Sequence, residues 1–278
     1  MKRTKMIGLC AVAAFAFAAL AGVSTASAAQ FNVCAHVGKG GNYTEAACKT
    51  ESLKKGKPAH KGAYEKKVGG ECFAMKKGNY TESKCETESL KKGKPAHKGS
   101  YELADPSSTV TGGHAELVSA AGTIECSSST GTQKITGAKS IVATTLFKGC
   151  ETKGQKCTSF TGAKAEGEIE TLTLDGALVE PHTGQASINI TGADGHEAEF
   201  ACVGVAYVRV SSGPLGGKIT PVGSYVTSET TTFEEKVEQG LIAEFASSPT
   251  FEGAESLPSE QLGSVTASGT TDVEIAVA

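Results

Sequence analysis

Short runs in which apolar and polar residues alternate recur along the second half of the chain, at intervals of roughly ten residues. The clearest run is 196–210, where every even position from 198 onward is apolar or small and the odd positions include Glu197, Glu199 and Arg209. A period of two is typical of a strand with one buried face, and it places Cys202 on that face. The pattern predicts an all-β fold, an antiparallel sandwich or barrel-like domain.

Similar runs predict the remaining strands. Asp175-Gly176 is a tight-turn signal between two of them. The segment 233–245 fits an amphipathic helix through Phe233, Val237 and Leu241, but Gly240 and the neighbouring threonines favour a hairpin equally well. The other predicted strands are 123–126, 140–147, 167–174, 186–191, 217–222, 224–232 and 272–278.

The first 28 residues have the pattern of an export signal. Lys2, Arg3 and Lys5 precede an apolar, Ala-rich run at 7–23, and small residues follow at 25–28. This order predicts cleavage before Ala29 and a secreted, extracellular protein. The apolar run is shorter than the roughly 20 residues of a membrane span, so we predict no membrane span.

Export changes the interpretation of the cysteines. The sequence contains nine, and one of them, Cys10, lies in the predicted signal. An even number then remains, which in an oxidising compartment indicates disulfides. The closely spaced C-x-x-C pairs that zinc sites use do not occur. We therefore predict disulfides, with no metal and no cofactor.

Two copies of one unit occupy 34–65 and 72–102, here called the first and second repeats. The letters TESLKKGKPAHKG at 50–62 recur without change at 87–99. Each copy contains two cysteines and very few aliphatic residues, so it cannot bury enough surface to offset its chain entropy. A disulfide within each copy, closing a loop of about 15 residues, would contribute about 3 kcal/mol.

Pairing within each repeat is therefore preferred to pairing between the repeats, because a copy must remain stable when duplicated. The four later cysteines allow three pairings. Two of them lie on apolar strand faces and are expected to join across the core, while the other two bracket a polar loop. The predicted pairs are Cys34–Cys48, Cys72–Cys85, Cys126–Cys202 and Cys150–Cys157.

Charge divides the chain near the end of the repeats. Residues 29–103 contain 15 Lys and 8 Glu, whereas 104–278 contain 22 acidic and 9 basic residues. A basic segment can contact an anionic polymer, and two identical segments would add avidity; a solvated spacer is the alternative. Nucleic acid is disfavoured, because few aromatic residues are present for stacking. The candidate polymer-binding residues are Lys54, Lys55, Lys57, Lys61, Lys91, Lys92, Lys94 and Lys98.

The predicted organisation is a signal peptide at 1–28, the two basic repeats within 29–103, a linker at 104–111 containing Pro106, and a Gly/Ser/Thr-rich β domain at 112–278.

Four segments of the β domain carry a resemblance: GEIETLTLDGAL (167–178), EFACVGVAYVRVSSGPLGGKITPV (199–222), PTFEG (249–253) and DVEIAVA (272–278). The chain resembles a large family of secreted bacterial proteins of unknown function, many of which carry short N-terminal Cys/Tyr units. The resemblance implies a fold and an exported destination, and it transfers no catalytic residue.

Catalytic motifs do not occur: there is no G-x-S-x-G, H-E-x-x-H, P-loop or G-x-G-x-x-G pattern. His114, His182 and His196 are scattered along the sequence, which disfavours a metal site. We predict a secreted, non-catalytic protein whose basic repeats bind a cell-wall or other anionic extracellular polymer. The alternatives are a purely structural protein and an extracellular polymer-degrading enzyme, which would need two facing carboxylates roughly 5–10 Å apart.

Overall fold

A computed structural model describes residues 29–277 except 55, 87, 92–93, 161–163, 193, 212–214 and 235–238. All the regular elements in this part of the chain are strands, so the all-β prediction is confirmed. The predicted signal, Lys55 and Lys92 lie outside the described residues. The strands are β1 (Gln30–Gly41), β2 (Leu53–Lys54), β3 (Lys57–Pro58), β4 (Gly62–Val68), β5 (Cys72–Gly78), β6 (Leu90–Lys91), β7 (Lys94–Pro95), β8 (Gly99–Leu103), β9 (Ser107–Ser119), β10 (Gly122–Cys126), β11 (Ser128–Ile135), β12 (Ser140–Lys148), β13 (Glu151–Thr152), β14 (Gln155–Ser159), β15 (Glu168–Glu170), β16 (Leu174–Val179), β17 (Ala186–Gly192), β18 (His196–Cys202), β19 (Ala206–Ser211), β20 (Leu215–Thr220), β21 (Val226–Phe233), β22 (Leu241–Ala246) and β23 (Glu255–Ala276).

The antiparallel pairings close into two rings that share the long strands β9 and β23. The first ring runs β9, β11, β12, β16, β17, β20, β21, β23 and back to β9. The second ring runs β9, β10, β13, β14, β18, β19, β22, β23 and back to β9. Closure pairs the strand edges within the protein, so the domain is barrel-like.

Each ring encloses its own apolar core. Phe31, Ile188 and Ile275 belong to the core of the first ring. Phe200 and Leu241 belong to the core of the second, together with the four cysteines of the β domain. Two small cores suit a chain with few large aromatic residues.

Asp175-Gly176 does not form the predicted turn, because both residues lie inside β16. A Cβ atom at Gly176 would lie 2.5 Å from the Ile141 side chain and 2.9 Å from that of Ile188. The glycine therefore provides packing space for two core residues from the neighbouring strands, and the turn prediction was wrong.

The alternating run 196–210 folds into a hairpin, β18 and β19, with its turn at 203–205. Phe200 is paired with Val208 and Cys202 with Ala206, so the even positions keep one face through the turn. In the segment 233–245, β21 ends at Phe233 and β22 begins at Leu241. Both strands pair with β23, and Val237 lies outside the described residues.

The predicted linker is shorter than expected, because β9 begins at Ser107. Thr109 and Thr111 are exposed on either side of the buried Val110, an alternation that β-branched threonine supports. The first repeat is also not separate from the β domain, since β1 pairs with β23 from Gln30 to Val33. The second repeat has its own two-stranded sheet, β5–β8.

Candidate functional site

A disulfide closes each repeat. Cys34 bonds to Cys48 and Cys72 to Cys85, with a Cα–Cα distance of 5.7 Å in both pairs. Both within-repeat predictions are therefore confirmed. Each disulfide anchors the polar segment that leads into the lysine-rich loop.

In each repeat, two distant backbone segments also approach closely and form hydrogen bonds to each other. In the second repeat, Tyr80 N donates to Tyr101 O at 2.9 Å, and Tyr101 N donates to Tyr80 O at 3.1 Å. The first repeat has the same exchange between Tyr43 and Tyr64. A Cβ atom at Gly99 would lie 1.9 Å from Tyr80 O. Only glycine allows this approach, which the local sequence N-Y-T-E does not reveal.

Gly99→Ala should therefore open the second repeat while leaving the rings folded. Steric overlap of this kind costs about 1–3 kcal/mol, and β5 and β8 pair only with each other among the named strands. We expect chymotrypsin to cleave after the buried Phe73 of β5 about tenfold faster at limiting protease, where cleavage follows the open population. Gly113→Ala is the matched control, because its Cβ would meet no atom within 4 Å. Unchanged cleavage in the Gly99 variant would contradict the close approach of Gly99 to Tyr80.

The lysine-rich loops, 53–61 and 90–98, are here called the basic loops. Each begins with a small hairpin, in which Lys54 pairs with Lys57 and Lys91 with Lys94. Ser52 and Ser89 directly precede the two loops and are buried. They form equivalent backbone hydrogen bonds: Ser52 N donates to Asn42 O and Ser89 N donates to Asn79 O, both at 2.6 Å. Identical sequence thus gives the same local structure twice.

The described lysines of the basic loops all extend into solvent. None of them forms an ion pair with a described residue, whereas other lysines, such as Lys134 with Asp105 at 2.5 Å, do. The loops therefore present free positive charge. These lysines are Lys54, Lys57, Lys61, Lys91, Lys94 and Lys98.

A cleft of about 510 Å³ lies where the two repeats meet β23. Its walls include Tyr64 and Phe73, with carboxylates from Glu102, Asp105 and Asp272. Glu102 already accepts hydrogen bonds from Asn79 N and Nδ2, at 3.0 and 2.9 Å, and Asp105 pairs with Lys134. Glu102 and Asp105 thus have structural partners.

The histidines of the β domain have separate surroundings. His114 Nε2 contacts Glu116 Oε1 at 2.8 Å, His196 Nδ1 contacts the Ser211 hydroxyl at 3.1 Å, and His182 is exposed. Within the described ranges, no group of three or more His, Cys, Asp or Glu side chains is arranged to hold a metal ion. The same residues include no helix with the length and apolarity of a membrane span.

No family model, no curated protein and no solved structure matches this chain. The resemblance to secreted bacterial proteins stays a prediction.

The cysteines of the β domain pair differently from the prediction. The disulfides join Cys126 to Cys150 and Cys157 to Cys202, each with a Cα–Cα distance of 4.0 Å. Predicting Cys126–Cys202 with Cys150–Cys157 was wrong, because the four residues form one row, with Cys126 in β10, Cys150 directly before β13, Cys157 in β14 and Cys202 in β18. Cys157 N donates to Cys150 O at 3.0 Å. Cys150 N donates instead to Gly167 O at 2.8 Å, so these two residues share a single backbone hydrogen bond, and each forms its disulfide with its other neighbour in the row.

Sequence reasoning missed Glu197 as a buried group. Alternation along 196–210 places it on the polar face, yet it is only 5% exposed. Burial in an apolar environment raises the pKa of its carboxyl to about 8. The sequence carries no signal for this burial, because it depends on how β18 pairs with β19.

Proposed function

We propose that this is a secreted, non-catalytic protein that binds an anionic extracellular polymer through its two basic loops. The observation that carries the proposal is the set of exposed lysines with no carboxylate partner among the described residues. Lysine ammonium groups held apart from acidic side chains attract phosphate, sulfate or carboxylate groups by screened Coulomb interactions.

Duplication adds avidity to that attraction. The two loops share their hydrogen bonds and disulfide geometry, so they offer the same contact twice. A polymer with repeating anionic groups can engage both loops at once, and linked contacts can strengthen binding by 10²–10⁴-fold. A single small anion gains no such advantage.

The disulfide content supports the secreted location. Eight cysteines form four disulfides, and disulfides of this density are typical of oxidising compartments. The export signal predicted at 1–28 agrees with this location. The ring pair then acts as the scaffold for the loops.

Retention of the oxidised mature chain on immobilised polyphosphate tests the proposal. We expect retention that sodium chloride elutes, with at least tenfold weaker binding after Lys54→Gln, Lys57→Gln and Lys61→Gln together, because avidity is lost. Combining these changes with Lys91→Gln, Lys94→Gln and Lys98→Gln should abolish retention at physiological salt.

A matched control removes the same charge elsewhere. Lys139, Lys148 and Lys153 are exposed lysines of the β domain, and their triple glutamine variant should bind within about twofold of the parent, since screening limits distant charges. If the control weakened binding equally, the net charge of the protein, and not the basic loops, would explain the retention. Unchanged binding after all six loop substitutions would instead favour the spacer function.

A further inference from the structure

A β-bulge in β18 turns Glu197 into the protein. His196 pairs with Ser211 and Ala198 with Val210, so Glu197 is the extra residue between them. Glu197 and Ala198 are consequently both buried, although they are adjacent in the strand. Bulges re-aim side chains and are frequent beside functional sites.

The re-aimed side chain lines a cavity of about 70 Å³ in the second ring. Most of the cavity wall is apolar, including Leu117, Ile124 and Ile169. Glu197 Oε1 is buried without a hydrogen-bond partner in the described part of the protein. Buried polar atoms are nearly always hydrogen-bonded, so an unpartnered carboxyl oxygen that faces a cavity points to a ligand able to donate to it.

The charge of the wall selects the kind of ligand. Glu116, from β9, is the other titratable group in the wall, and no Lys, Arg or His contributes to it. The polar groups facing from the remaining elements are neutral: Thr171 and Gln261. Two aromatic rings, Phe147 and Phe200, also line the space, and aromatic faces attract cations.

We propose that this cavity binds a small organic ammonium ion. Its N–H groups donate to the Glu197 carboxylate, and its short alkyl chain contacts the apolar wall. The volume accommodates only a few non-hydrogen atoms, well below the roughly 300–1,000 Å³ of drug-sized pockets. This site is separate from the basic loops, and its failure would leave the polymer proposal unaffected.

Binding of the cation is coupled to loss of a proton. Burial keeps the Glu197 carboxyl protonated at neutral pH, since its pKa is raised to about 8. The ammonium ion favours the carboxylate, so binding at pH 7 releases close to one proton. Affinity should rise about tenfold per pH unit from pH 6 to 8 and level off above.

Calorimetric titration of the oxidised mature chain with n-butylammonium chloride tests the site. We expect one saturable site with a Kd of about 1 mM at pH 8.5, and proton release at pH 7 measured in two buffers of different ionisation enthalpy. Glu197→Gln should weaken binding at least tenfold. Glu229→Gln is the matched control, because Glu229 is buried in the first ring and should leave binding unchanged.

Three outcomes would overturn the proposal. The first is no saturable binding at 20 mM butylammonium, and the second is equal binding to Glu197→Gln. The third is equal affinity for butan-1-ol, which would make the cavity an apolar space without charge selectivity. Because proton release is measured on the unaltered chain, the test does not depend on the variant folding.

Discussion

Replacing Cys157 and Cys202 together by alanine is expected to lower the free energy of unfolding by about 4 kcal/mol. The disulfide between them spans 45 residues, and removing a crosslink over a long loop raises the chain entropy of the unfolded state. Cys157 is fully buried in the core of the second ring, so alanine also removes packing contacts. Thermal unfolding should therefore shift downward by roughly 8–16 °C.

Differential scanning calorimetry of the oxidised protein measures this shift. The matched control is Cys72→Ala with Cys85→Ala, which opens a 13-residue separation in the second repeat. Because β5 and β8 form a separate sheet, the main transition of the rings should stay within about 2 °C of the parent. Equal shifts in both variants, or peptide mapping that links Cys150 to Cys157, would contradict the described connectivity.

The contrast between the two sets of cysteines shows which disulfides a sequence can predict. Cys34–Cys48 and Cys72–Cys85 were predictable, because each pair lies in a repeated unit that must be stable alone. In the β domain, alternation correctly placed Cys126 and Cys202 on the inner face. It did not reveal that Cys150 and Cys157 lie between them in the same row, since the order of strands in a closed ring is set by long-range pairing.

The candidate sites differ in the same way. The basic loops were predictable, because charge and duplication are properties of the sequence, and their lysines need only be exposed. Glu197 was not, because one unpaired residue in β18 reverses the face that alternation assigns. The bulge arises from the pairing between β18 and β19, and a hydrophobic pattern of period two does not predict it.

Glu197→Gln is expected to stabilise the protein at alkaline pH. Below the ordinary carboxyl pKa near 4.5, the folded and unfolded states both hold the proton. Ionisation of Glu197 therefore does not lower the free energy of unfolding there. Between pH 4.5 and 8 the unfolded state ionises while the folded state remains protonated. Stability therefore falls as pH rises through this window, by up to about 5 kcal/mol above pH 8.

A glutamine side chain has nearly the same shape and does not ionise, so the variant should lose this part of the pH dependence. Urea unfolding at pH 5, 7 and 9 measures it: the two proteins should be similar at pH 5, and the variant should be more stable by several kcal/mol at pH 9. Glu229→Gln serves as the comparison, because Gln133 Nε2 donates to the Glu229 carboxyl at 3.0 Å and partly offsets the pKa increase that burial causes. A smaller gain is expected there. If Glu197→Gln instead destabilised the protein equally at all three pH values, the Glu197 carboxyl would already have a partner inside the protein. The cavity would then offer no free carboxylate to a bound cation.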